Sequence, residues 1–134
     1  MQALLLPVGS EWYAVATAAV REVAAAPLVV PLPTAPPSVL GVFNLRGEIV
    51  PLFDTAALLG VGQFPEHPYV AVLETAMGPA GLNATAVPET AELTEQASAA
   101  ELRGAVGVYA HSGRLVVLVE PETLLAPARV GGRQ

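Results

Sequence analysis

Proline is what limits this chain most. Thirteen prolines and twelve glycines are spread over 134 residues, so no long helix or long unbroken strand can survive. The longest uncharged stretch, Val23 to Leu45, carries Pro27, Pro31, Pro33, Pro36 and Pro37. A membrane-spanning helix needs ~20 apolar residues with every backbone group bonded internally, and five prolines exclude one there. The start, Met1 to Pro7, has no basic region and too short an apolar run for a signal peptide. A soluble, cytoplasmic protein is the expectation.

Short strands separated by Gly/Pro turns fit these constraints. Leu4 to Val8 and Trp12 to Val15 read as two strands joined at Gly9-Ser10. Alanine content alone favours helix over Ala14 to Ala26, although Val15, Val20 and Val23 suit a strand equally well. Leu28 to Pro37 must be extended, since each proline moves its predecessor out of the helical region. A clear hairpin follows: Val42 to Arg46 and Ile49 to Phe53, with the turn expected at Gly47-Glu48. Pro51 assigns its strand to an edge or a bulge. Asp54 or Thr55 can cap a short helix through Leu59, which Gly60 ends.

Gly62 to Pro68 is the natural boundary in the middle of the chain. Beyond it, Tyr69 to Leu73 reads as a strand and Gly81 to Val87 as a weaker one. The acidic stretch Pro88 to Gly104, with Glu89, Glu92, Glu95 and Glu101, reads as a solvated loop or surface helix. Ala105 to Tyr109 and Leu115 to Val119 form a second hairpin around His111-Ser112-Gly113, and Glu120 to Leu125 a last short helix. Each half thus ends in a hairpin running into a Leu-Leu helix. The expected fold is all-β: two small barrels side by side, a first lobe at about 1–61, a second at about 68–126, and a frayed tail over 127–134.

The chemistry available is sparse. With no cysteine there are no disulfides, thiolate ligands or thiol nucleophile. Two histidines, His67 and His111, and one aspartate, Asp54, offer no metal-ligand spacing, so no metal and no cofactor are expected. His111 beside Ser112 belongs to a turn rather than to a nucleophile elbow. Gly60-Val61-Gly62 begins like a dinucleotide fingerprint, but Pro65 stands at the third glycine position. The run from Glu89 to Glu101 lacks the alternating acids and central glycine of a calcium loop. A net charge of −6, with arginine supplying all six bases, disfavours nucleic acid and anionic lipid, so no nucleic-acid partner and no membrane insertion are expected.

One arginine stands out. Arg46 is flanked by apolar residues and Gly47 in a chain only 13% charged, and needs a partner. Glu22, within Val20-Arg21-Glu22-Val23, is the candidate for an ion pair, the alternative being an ordinary surface pair of little energetic weight.

This stretch, Gly41-Val42-Phe43-Asn44-Leu45-Arg46-Gly47-Glu48-Ile49-Val50-Pro51-Leu52-Phe53-Asp54, resembles the signature of CheW-like domains. The resemblance continues through Trp12 to Val15, Val20 to Val23, Pro33 to Gly41 and Arg103-Gly104 to Leu125, roughly 125 residues in order. It implies two five-stranded SH3-like barrels packed around a shared hydrophobic seam, with Val20 to Ala25 on a strand after a short turn instead of a helix. It also implies a non-catalytic adaptor that links the helical hairpin of chemoreceptor tips to the regulatory domain of the CheA histidine kinase, at membrane-associated arrays. Three departures stand out: Gly81-Leu82-Asn83-Ala84-Thr85 replaces the family's Gly-Leu-Leu-Val-Asp, Ala56 stands where an arginine often does, and the loop before Arg103 is short.

On this reading a receptor hairpin docks in a groove whose floor is Val20 and Val23. Glu22, Arg46 and Gly47 form its edge, and Leu82 and Val87 the opposing wall. Two alternatives remain: the same fold in a pathway controlling pili, gliding or development, and a small β-barrel enzyme or ligand carrier. The missing acid, base and nucleophile set argues against the second.

Overall fold

The structure, a computed structural model, describes residues 1–98 and 105–130, without the side chains of residues 128 and 129. Twelve strands make up most of it, and its helices are single turns. In chain order they are β1 (Gln2–Val8), β2 (Glu11–Ala16), β3 (Val20–Ala25), β4 (Val29–Val30), β5 (Val39–Leu45) and β6 (Glu48–Phe53). The second half supplies β7 (Tyr69–Thr75), β8 (Gly78–Ala84), β9 (Glu89–Glu92), β10 (Glu95–Ser98), β11 (Ala105–His111) and β12 (Arg114–Val119). Helix α1 (Thr55–Leu59) follows β6, while α2 (Pro121–Leu124) and α3 (Pro127–Val130) follow β12.

The helix that alanine content suggested over Ala14 to Ala26 shrinks to a 3-10 turn at Thr17–Ala19. Tertiary pairing overrides propensity there, because β2 and β3 on either side each gain a ladder.

The strands form two curled six-stranded sheets, ordered β10-β11-β12-β2-β1-β9 and β3-β7-β8-β6-β5-β4. The two orders correspond strand for strand once each half is counted as six strands. The first hairpin of each half, however, lies in the other half's sheet: β2 runs parallel beside β12, and β8 runs parallel beside β6. The sequence boundary at 62–68 therefore separates two repeats but not two sheets. Lobes of 1–61 and 68–126 are corrected accordingly: β1–β2 joins β9–β12, and β7–β8 joins β3–β6.

The hydrophobic pattern shows why the hairpins cross over. Along β1, Leu4, Leu6 and Val8 face one buried cluster while Ala3 and Leu5 face another, the period of two expected of a strand covered on both faces. Opposite them Val15 and Tyr13 join the first cluster and Ala14 the second. That first cluster is the shared core between the sheets; it also takes in Leu73, Leu82, Ala84, Leu58, Leu59 and Leu124. Ala3, Leu5, Ala14, Leu93, Val116 and Leu118 fill the first sheet, and Phe43, Val50, Leu52, Val70 and Val72 the second.

Local chemistry sets the remaining joints. The β5–β6 turn lies at Arg46-Gly47, one residue earlier than expected, with φ of 50° and 90°. Two consecutive positive-φ residues give the twist that a two-residue hairpin loop needs. Asn44 accepts from the Gly47 amide at 2.8 Å and steadies the turn.

At α1, Asp54 takes the N-cap position without a side-chain cap bond. The acceptor comes from across the core instead, for the Thr55 amide donates to Asn83 Oδ1 at 2.9 Å and the Thr55 hydroxyl donates to the Asn83 carbonyl at 2.7 Å. Asn83, one of the departures from the family pattern, thus anchors α1 to β8.

The stretch from Pro88 was expected to be loop or helix, but it forms β9 and β10. Its glutamates lie on edge strands, where one face can stay in water while Leu93 between them is buried. Glu101, Arg103 and Gly104 lie outside the described residues. The tail expected from 127 onward is a helix as far as Val130, whose side chain packs on the shared core and whose carbonyl accepts from Ser38 Oγ at 2.7 Å. Residues 131–134 lie outside the described residues.

Candidate functional site

β3 is an edge of the second sheet and pairs with β7. Its side chains alternate: Val20, Glu22 and Ala24 are half-buried, whereas Arg21, Val23 and Ala25 are exposed. Val20 rests against the shared core, and Val23 is 42% exposed. In the ladder Val20 lies opposite Leu73 and Val23 opposite Ala71, two residues apart on β7, so the two valines share a face, with Val20 half-buried and Val23 exposed.

The polar residues of β3 meet the β5–β6 turn. Arg46 Nη1 donates to Glu22 Oε1 at 3.1 Å, and Nη2 donates to Glu22 Oε2, so the fork grips both carboxylate oxygens. Arg21 Nη1 donates to Glu48 Oε1 at 2.7 Å, and its Nη2 forms an ion pair with Glu74. Two arginines and three glutamates from β3, β6, β7 and the turn thus make one cluster.

The hydrogen bond from Arg46, with its positive charge and that of Arg21, holds the Glu22 carboxyl below the usual carboxylate range. Glu22 in turn raises Arg46, and Glu48 above all raises Arg21. A depressed carboxyl contributes stability fully above its unfolded value and loses it as pH falls through the lower folded value. The contribution of the pair should therefore be constant through neutral pH and vanish only in acid. Arg46 is 68% exposed, so solvent screens the pair. Glu22→Gln is expected to leave the thermal midpoint at pH 7 close to wild type. A melt showing a drop as large as that of a core deletion would contradict this.

The other expected site residues separate. Gly47 is exposed in the turn with open space around it. Leu82 is fully buried in the shared core, so it is not a groove wall: its place on β8 faces the first sheet. Val87 is 53% exposed in the segment leading from β8 to β9, away from the charged cluster's own elements. Arg21, Glu48 and Glu74 belong to the cluster and were not singled out from sequence. The available signal was Arg21-Glu22 and Arg46-x-Glu48 in a chain poor in charge.

Among the described residues no group of three or more His, Cys, Asp or Glu side chains is placed to hold a metal ion. At the opposite end of the second sheet, Pro27, Val29, Leu40, Leu52, Val70 and His67 line an apolar cavity of about 460 Å³.

Comparison with known proteins decides the family. The model of the CheW-like domain matches residues 2–129. The chain belongs to the CheW-like domain family. It is 32% identical over 127 residues to the chemotaxis protein CheW of Rhizobium meliloti (strain 1021), covering 87% of this chain and 82% of that one. It is 29% identical over 131 residues to a probable chemotaxis protein CheW of Rhizobium etli, covering 89% and 83%. The crystal structure of the scaffolding protein TtCheW from Thermoanaerobacter tengcongensis superposes with a TM-score of 0.81 at 19% identity, over 93% of this chain and 92% of that one. The double-barrel architecture is thus that of a CheW-like domain, and the β3 strand and signature hairpin are the parts of this member that carry its exposed charged cluster.

Proposed function

We propose that this chain is a non-catalytic adaptor of bacterial chemosensory signalling, coupling the cytoplasmic helical hairpin of a chemoreceptor to the regulatory domain of a CheA-type histidine kinase. The observation that carries the reading is the family match over nearly the whole chain. The names of its relatives supply the pathway and the scaffolding role.

The surface supports it. A receptor hairpin needs exposed aliphatics edged by charge, and β3 offers the exposed Val23, with Arg21 and Glu22, the partner of Arg46, on the same strand. For the kinase contact we propose the barrel end, beside the apolar cavity that His67 helps to line. No helix among the described residues is long and apolar enough to cross a membrane, so association with a receptor array would run through the receptor.

Val23→Arg tests the docking face. Val23 is exposed, so the variant should fold as wild type while its affinity for a receptor hairpin fragment falls at least about tenfold. A well-folded variant with unchanged affinity, measured by calorimetric titration, would exclude β3 as the receptor face.

A further inference from the structure

Arg21 is the extra residue of a β-bulge. In the β3–β7 ladder Val20 lies opposite Leu73 and Glu22 opposite Val72, and Arg21 has no opposite number. A bulge releases a residue from regular pairing and re-aims its side chain. Here the guanidinium reaches two other strands, donating to Glu48 on β6 at 2.7 Å and pairing with Glu74 near the end of β7. Three strands meet at this one side chain.

The topology gives that meeting a consequence. In the sheet order β7 and β8 stand between β3 and the β5–β6 hairpin. β3 has its ladder with β7, and the Arg21–Glu48 and Glu22–Arg46 pairs join it across the curl of the sheet to a hairpin it does not ladder with. Arg46 holds one carboxylate, whereas Arg21 holds two on different strands. A planar guanidinium fork is suited to that, since it fixes both partners in direction as well as in charge.

We infer that Arg21 is a positioning residue for the docking face: it sets β3 against the signature hairpin and so fixes the strand that presents Val23 to the receptor hairpin. The inference rests on the docking role proposed above for β3.

The test uses the full chain and the variants Arg21→Gln and Arg21→Lys, with amide hydrogen exchange and titration against a receptor hairpin fragment. In Arg21→Gln, exchange across Val20–Ala25 should quicken about fivefold while Gln2–Val8 keeps its wild-type protection. Affinity for the fragment should fall about fivefold, the deficit should shrink at ~1 M salt, where the ion pairs of the wild type are screened, and Arg21→Lys should recover part of it. Wild-type affinity in Arg21→Gln would overturn the inference, as would unchanged exchange across β3. If the wild-type chain itself fails to bind the fragment, the docking role fails, and the exchange measurement still decides whether Arg21 holds the strand.

Discussion

Gly41→Ala is expected to destabilise the protein by about 2–4 kcal/mol, read as a lowered urea midpoint. A Cβ at this position would lie 2.3 Å from the Val30 carbonyl oxygen, 2.8 Å from its carbon and 2.9 Å from Val29 Cγ1. Two of these are backbone atoms of β4, which cannot move without breaking its pairing of Val29 with Phe43 and Val30 with Val42. The φ of +151° adds strain of its own for any residue with a side chain. Because Val29 packs against the core of the second sheet, displacing β4 would also open that core. Gly47→Ala is the control: open space surrounds it, so only its positive φ opposes alanine and the loss should be about 1 kcal/mol. Equal effects at the two glycines would show that β4 is not packed on Gly41 as described.

Leu82→Ala should cost about 2–5 kcal/mol, because a fully buried side chain leaves a cavity in the core shared by both sheets. Val87→Ala, at a 53% exposed site, should change stability by about 0.5 kcal/mol or less. Chemical denaturation of the two variants separates a core role from a surface one. Had Leu82 lined a docking groove, its loss would weaken partner binding and leave the midpoint unmoved.

The contrast between these two residues shows what was legible in the sequence. Gly81 to Val87 reads as a strand, and Gly81 to Ala84 lie on β8, but alternation within a strand does not say which neighbour covers each face. Leu82 faces the first sheet because β7–β8 crosses into the second. That exchange cannot be read from the order of elements, since both halves carry the same succession of hairpin, turn and helix. The triple Leu4-Leu5-Leu6 was its one trace: a strand apolar on both faces must lie between two cores.

Near the candidate site the sequence was informative where chemistry is restrictive. Arg46 in an apolar setting demanded an acid, and Glu22 lies against it with both oxygens engaged. The turn slipped by one residue because Gly47 and Arg46 share the positive φ, a conformation expected of the glycine and not of the arginine. Arg21 went unnoticed because a bulge depends on how β3 registers against β7, which no local pattern encodes. Asn83 likewise appeared as a departure from a family pattern, and its part in anchoring Thr55 emerges only when β8 and α1 are side by side.

Kinase autophosphorylation in a reconstituted mixture of receptor fragment, CheA-type kinase and this chain tests the adaptor role most directly. The receptor fragment should alter the rate only when the chain is present, and adding folded Val23→Arg in place of wild type should restore the receptor-independent rate. A rate that responds to receptor equally with and without the chain, or a folded wild-type chain that binds neither partner, would contradict it.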